Sequence, residues 1–276
     1  MVFGKSRVRT IAGTAAACAV SLVAITTVRL AGTTAEAKPW SLPENALITV
    51  RANPAPTSAT GPDRLTGARG STADLPDGPP VPRLGYGTWH VVPGSGEAVG
   101  DGLVQTFSVE VEDGVRPADG DPAFGRAVEQ ALGDPRGWTA DGEVALRRVD
   151  VEEPALRIRL TSQETARALC GFELPYDTSC RIDDAVYLSA ARWVRGAKAF
   201  DDLGEYRRYL VNHEVGHFLG HSHEPCDVDG GPAPVMMQQT FSTANDELAR
   251  LTRENPQQAV VPTDGKVCEP NPWPHP

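Results

Sequence analysis

Four of the six histidines of this 276-residue chain lie within eleven positions, in the stretch VNHEVGHFLGHSHEPC at residues 211–226. On an α-helix, residues four apart lie on one face, so His213 and His217 can direct their imidazoles at one point. Neutral imidazole nitrogen is a common zinc ligand, and a catalytic zinc site has three protein ligands and one position left for water. The spacing therefore predicts a zinc site whose first two ligands come from one helix.

The third ligand has to approach the metal from another direction. Gly220 can adopt the left-handed conformation that ends a helix, and the chain can then turn so that His223 returns toward the metal. His221 is the alternative, but three ligands on one straight helix would surround a metal poorly, so we expect His221 to be a solvated turn residue. Fe²⁺ or Co²⁺ could occupy the same ligands, and the fit and abundance of zinc favour Zn²⁺.

Glu214 follows the first histidine and is rotated about 100° from it around the helix, so it need not be a ligand. It is placed to hold a zinc-bound water and to take its proton, which is the general-base role of the H-E-x-x-H motif. The residues therefore predict a zinc-dependent hydrolase. The alternative is a non-catalytic cell-envelope binding protein in which a structural zinc braces the fold, although structural sites rarely need the glutamate.

A helix at residues 202–219 must carry these side chains, and its apolar stripe of Val211, Val215 and Phe218 would bury it against a core. Upstream, segments that alternate apolar and polar residues predict strands. We place these strands at 103–112, 144–149, 155–160 and 185–189, and a first helix at 122–132 between Asp121 as N-cap and Gly133 as stop. Strands, one early helix and a later helix bearing the histidines indicate an α+β domain.

The chain begins with an export signal. Three basic residues precede an uncharged apolar run at 11–28, and small residues follow up to Ala37. The run is also just long enough to span a bilayer once, so residues 1–37 are either a cleaved signal peptide or an N-terminal membrane anchor. Residues 38–84 are rich in Pro and Gly and predict a disordered linker, which leaves 85–276 as one domain, extracellular or on the outer face of the membrane.

The charge and the cysteines narrow the function further. The formal net charge of −10 argues against nucleic acid or anionic lipid as a partner and says little about the peptide or protein substrate that a zinc hydrolase could take. Four cysteines outside the signal predict two disulfides in an exported protein, and their spacing favours Cys170–Cys180 and Cys226–Cys268. The alternative for Cys226 is a thiolate ligand near the zinc.

The segment HEVGHFLGHSH resembles, at every fixed position, the long zinc signature H-E-x-x-H-x-x-G-x-x-H of the metzincin endopeptidases. The resemblance implies a zinc metalloendopeptidase with a metzincin-like fold. In that fold a mixed twisted sheet, a backing helix and an active-site helix lie above the zinc cleft, and a small C-terminal subdomain begins near Gly220. A zinc amidase that cuts another amide bond, such as one in cell-wall peptide, is the alternative activity.

The same resemblance implies a methionine turn beneath the zinc. In GPAPVMMQQT, Met236 is the better match for that methionine and Met237 the alternative. In metzincins an edge strand above the cleft pairs with extended substrate, and AVYLS at 185–189 is our candidate. The chain departs from the family at Gln238, where some metzincins place a Tyr that contacts the zinc or the transition state.

Over most of residues 85–276 the chain also resembles a family of exported actinobacterial proteins, through DPRGW, YLVNHEVGH, APVMMQQT and PNPWP. In the first of these segments we expect Arg136 and Trp138 to build a turn and a packing contact. His90 and His275 are expected to be ordinary surface residues.

Overall fold

The computed structural model describes residues 71–170, 175–253 and 260–276, so the predicted export signal lies outside the described residues. Within these ranges the chain forms six strands and five helices, in the order β1 (Trp89–Val91), β2 (Leu103–Glu112), α1 (Asp121–Leu132), β3 (Val144–Arg148), β4 (Leu156–Thr161), α2 (Gln163–Cys170), β5 (Cys180–Ile182), β6 (Ala185–Ser189), α3 (Ala190–Arg195), α4 (Leu203–Phe218) and α5 (Asn245–Thr252). The predicted α+β class is confirmed. None of the helices in these ranges is long and apolar enough to cross a membrane.

The strands form one twisted mixed sheet in the order β1-β2-β4-β6-β5, with β3 also paired to β2. The pairs of β2 with β3, of β2 with β4 and of β4 with β6 are parallel, whereas β1 and β5 are antiparallel to their neighbours. β2 and β6 have their predicted bounds, and β3 and β4 agree to within one residue at each end. Alternating hydrophobicity was therefore a sufficient signal for the strands that face the core.

The predicted edge strand was wrong. AVYLS forms β6, which is hydrogen-bonded to β4 on one side and to β5 on the other. The edge strand at this end of the described sheet is β5, which has three residues, CRI. A three-residue strand is too short to show a pattern, whereas AVYLS reads as a continuous apolar run because it is buried inside the sheet.

Helices α1 and α4 pack against each other and share one hydrophobic core with the sheet. α1 begins one residue earlier than predicted, at Asp121, with Gly120 at the N-cap, and it ends at Gly133 as expected. α4 agrees with its prediction to within one residue at each end. The Asp202 carboxylate caps it by accepting a hydrogen bond from Glu205 N at 2.7 Å. The predicted stripe faces this core, because Val211 and Val215 are fully buried in it and Phe218 packs against it.

A second hydrophobic cluster lies after α4 in the chain. Its buried members are Ala73, Cys226, Ala233, Met237, Phe241, Leu248 and Cys268. The Cys226–Cys268 disulfide is part of this cluster, and the Cys170–Cys180 disulfide joins the end of α2 to the start of β5. Both predicted pairings are therefore present, which rules out Cys226 as a thiolate ligand and indicates an oxidising environment.

The packed part of the chain begins earlier than the predicted boundary at residue 85. Ala73 is fully buried, and its carbonyl accepts a hydrogen bond from the buried guanidinium of Arg192 at 2.5 Å. Arg195 and Lys198 donate to carbonyls of Pro79 and Ser71. We call residues 71–84 the strap. Backbone carbonyls make these bonds, so the side-chain pattern of the strap gave no sign of them.

Candidate metal centre

The three predicted histidine ligands meet at the C-terminal end of α4. His213 and His217 lie on the helix, His223 lies in the loop after it, and one ring nitrogen of each is within 4.8 Å of the others. In the described part of the chain this is the only group of three or more His, Cys, Asp or Glu side chains that could share a metal ion. The Nε2 atoms of His217 and His223 are 3.1 Å apart.

The turn that brings His223 back is the one predicted from Gly220. This glycine has a φ of 100°, and the helix end is closed by bonds from Gly220 N to His217 O (3.2 Å) and from His221 N to Gly216 O (2.9 Å). A Cβ at Gly220 would meet nothing within 4 Å, so the glycine is needed for its backbone conformation and not for space. His221 is exposed and is not a member of the cluster.

Backbone carbonyls orient the two ligands on the helix. His213 Nδ1 donates to Val235 O at 2.9 Å, and His217 Nδ1 donates to His221 O at 2.9 Å. A proton on Nδ1 leaves Nε2 of each neutral ring as a lone pair. Such bonds fix both the tautomer and the direction of a metal-binding imidazole.

The three histidine nitrogens are of the type that zinc binds and lie close enough together to share one ion. His213 Nε2 is buried and has no hydrogen-bond partner among the described residues. A buried acceptor in that state costs free energy unless a donor or a cation meets it. With zinc–nitrogen distances of about 2.0–2.1 Å, two ligands of a tetrahedral site lie about 3.3 Å apart, close to the 3.1 Å between the other two Nε2 atoms.

Burial sets the protonation of the centre. It raises the pKa of Glu214 from 4.5 to about 8, and this side chain is 4% exposed with Oε2 unpartnered. Burial also lowers the pKa of His213 well below its ordinary value, and the neighbouring His223 and His217 lower it further. The ring is therefore neutral, which is the form that binds a metal.

A tight turn at residues 234–237 supports α4 from below. Met237 N donates to Pro234 O at 2.9 Å, and Val235 in this turn supplies the carbonyl that orients His213. Met236 is buried in the main core, whereas Met237 belongs to the second cluster. A Cβ at Gly216 would collide with Met236 Sδ, so this glycine allows the turn to reach the helix.

Trp138 supports His217 through contacts between segments that are distant in sequence. Its Nε1 donates to Asn212 O at 2.9 Å, and its ring stacks on His221 with centroids 4.4 Å apart. His221 is the residue whose carbonyl orients His217. The expected packing role of Trp138 is therefore present, but the packing acts on a predicted ligand through residues distant in sequence.

A small pocket opens beside His223. Its walls combine apolar side chains with a few polar ones. They are His223, Glu224, Pro225, Gln238, Leu248, Thr252, Val260 and Val261. Gln238, which stands where some metzincins have a Tyr, thus lies next to the third histidine.

Comparison with known proteins gives one match. The family model described as "Protein of unknown function (DUF3152)" covers residues 75–276, which include both disulfides and the whole metal centre. A search of curated proteins and a search of solved structures each found no match. The matched range begins inside the strap, in agreement with the packed chain described above. The chain therefore belongs to the DUF3152 family of proteins of unknown function.

Proposed function

We propose that this protein is an exported, zinc-dependent metalloendopeptidase of the metzincin type. The observation that carries the proposal is the convergence of His213, His217 and His223 on one point beside the buried carboxylate of Glu214. These histidines would hold Zn²⁺. When bound, zinc acts as a Lewis acid toward a carbonyl oxygen and lowers the pKa of water toward neutrality.

Glu214 is the general base in this proposal. A carboxylate oxygen takes a proton from the attacking water and then delivers it to the nitrogen of the leaving amine. In the metal-free site burial raises the pKa of this carboxyl group to about 8, and a zinc ion beside it would favour the ionised form that accepts the proton. Val235 and Met236 keep the helix and the His213 ring in position while this occurs.

The layout of the domain supports the metzincin interpretation. The main core, with the sheet, α1 and α4, lies on one side of the metal centre, and the second cluster follows the turn at Gly220. The described edge strand that packs against α4 is β5, so an extended substrate would add to β5 and not to AVYLS.

Glu214 also argues against a purely structural zinc site. A buried carboxylate whose Oε2 has no partner lowers the stability of the fold, and a purely structural zinc site would have no use for it. A zinc amidase that acts on cell-wall peptide would use the same chemistry. Only the identity of the bonds that are cut separates it from an endopeptidase.

The test is to incubate the purified protein with a mixed peptide library and to sequence the products. A Glu214→Gln variant and a chelated sample are run in parallel, and the metal content of each is measured. We expect cleavage by the wild type alone, with one zinc retained by the variant. Zinc binding without cleavage by any sample would favour the envelope binding protein, and undiminished cleavage by Glu214→Gln would remove the general base from the mechanism.

A further inference from the structure

Arg181 stands apart from the other arginines of the sheet. The six strands contain five arginines, and those on β3 and β4 each form an ion pair with a carboxylate. Arg181 lies on the edge strand β5, and its exposed side chain forms neither a hydrogen bond nor an ion pair with any described residue. In a chain with a net charge of −10, an arginine that lacks an acidic partner is available to a ligand.

The register of β5 places Arg181 on the face of the sheet against which α4 packs. Arg181 is paired with Val186 on β6, and cross-strand neighbours project from the same face of a sheet. Val186 is fully buried in the core that α4 shares, and α4 packs against both β5 and β6. Arg181 therefore leaves the edge of the sheet on the face that carries α4 and its histidines.

At this edge of the sheet β5 packs against α4, the helix that carries His213 and His217. Arg181 is not itself a metal ligand, because arginine does not lose its proton in proteins.

We propose that Arg181 is the specificity residue of the cleft and that it selects substrates with a carboxylate close to the scissile bond. The proposal rests on the proposed peptidase function for the site it serves. A guanidinium group binds a carboxylate through two parallel hydrogen bonds, which gives direction as well as charge recognition. Arg181 has no acidic partner among the described residues, so an acidic group of the substrate would be its partner.

Strand addition makes the expected preference periodic. The side chains of an extended peptide paired with β5 alternate between the two faces, so every second side chain lies on the face of Arg181. An acidic residue should therefore be preferred at one substrate position, and the two positions next to it should show no preference. The carboxylate could belong to an acidic side chain or to the C terminus of the substrate, and both arms are tested.

Binding is measured first, on the Glu214→Gln variant, so that the result does not depend on turnover. The probes are fluorescent, C-terminally amidated octapeptides in matched pairs that carry Glu or Gln at a single position. A second set ends at that position with a free carboxylate or an amide. We expect about tenfold tighter binding of the charged member at one position. Arg181→Gln should abolish that difference, and Arg181→Glu should transfer it to a Lys-containing peptide.

The matched control is Arg126→Gln, which removes an exposed arginine from α1, outside the metal centre. This variant should leave the Glu preference unchanged. The melting temperature and the zinc content should be the same in every variant. Equal binding of each pair, absence of binding by both members, or a preference that survives Arg181→Gln overturns the proposal. Cleavage by the wild type is measured separately with the same peptides. Cleavage without a Glu preference would sink the role of Arg181 alone, and a preference without cleavage would sink the peptidase function alone.

Discussion

Replacing Gly216 with alanine should disturb the support of the metal centre without touching a ligand. A Cβ at this position would lie 2.6 Å from Cζ2 of Trp138 and closer still to Sδ of Met236. Both neighbours are buried, at 7% and 2% exposure, so neither can move away into solvent. One or both must shift within the core, or the helix must move.

The size of the effect follows from two opposing terms. Overpacking a core costs about 1–3 kcal/mol, and two collisions place this site near the upper value. Alanine in place of glycine inside a helix stabilises the folded state by about 1 kcal/mol. We therefore expect the free energy of unfolding of the metal-free protein to fall by about 2 kcal/mol, equivalent to about 4–8 °C in melting temperature for a domain of this size.

Zinc affinity should fall as well, because both displaced side chains support ligands. Movement of Met236 shifts Val235, whose carbonyl orients His213, and movement of Trp138 releases His221, whose carbonyl orients His217. Loss of such orienting bonds typically weakens metal binding by about 10–100-fold. Two assays are needed. Denaturant unfolding of the metal-free protein measures stability, and titration of the folded protein with zinc against a competing chelator measures affinity.

Gly204→Ala is the matched control, because Gly204 lies in the first turn of the same helix. Its Cβ would approach only the Asp202 Oδ1 atom closely, at 2.9 Å, so a partial loss of this N-cap and the gain in helix propensity oppose each other. This variant should be as stable as the wild type and should bind zinc equally well. If Gly216→Ala behaved in the same way, the close packing beneath α4 would not be what holds the ligands.

Three further changes test other parts of the structure. Trp138→Leu should weaken zinc binding about tenfold, because it removes the stack on the residue that orients a ligand. Trp273→Leu, in the C-terminal tail, should leave the zinc affinity unchanged. Competition with a chelator measures both affinities. Removing the Cys226–Cys268 disulfide, whose cysteines are 42 residues apart, should lower the free energy of unfolding by about 4 kcal/mol. Removing the Cys170–Cys180 disulfide, whose cysteines are 10 residues apart, should lower it by about 3 kcal/mol. Denaturant unfolding that gave the reverse order would contradict this loop-length argument. Two nearby aspartates raise the pKa of His90 above 6.5, so its stabilisation is complete below that value and is lost as pH rises through the folded pKa. His90→Gln should therefore differ from the wild type more at pH 5.5 than at pH 8.5 in unfolding experiments.

The parts of the centre that could be predicted depend on local geometry. His213 and His217 share a face because they are four apart on a helix, and Gly220 turns the chain because a helix end needs a left-handed residue there. Both relations are contained within eleven residues. The long strands were predictable for the same reason, since a period of two residues is visible in any segment of sufficient length.

The parts that were missed depend on contacts between segments far apart in sequence. Trp138 reaches His221 only after the loop behind α1 has packed beneath α4, and Arg192 binds the strap through backbone carbonyls that no side-chain pattern reveals. The position of Arg181 at the sheet edge required the order of the strands, which three residues of β5 could not supply. In each case tertiary packing, and not local propensity, decided the outcome.

The distribution of unsatisfied polar atoms connects the fold to the proposed chemistry. Among the described residues, five buried side-chain nitrogen or oxygen atoms have no hydrogen-bond partner, and three of them belong to the consecutive residues Asn212, His213 and Glu214. Each such atom costs about 1–3 kcal/mol, so together they oppose a net stability of about 5–15 kcal/mol for a typical domain. The core above α4, the turn at 234–237 below it and two disulfides provide the stability that tolerates this cost. A metal ion would meet the lone pair of His213 Nε2, and a water bound to that ion would meet Glu214 Oε2, which is why we favour a catalytic metal centre over a structural one.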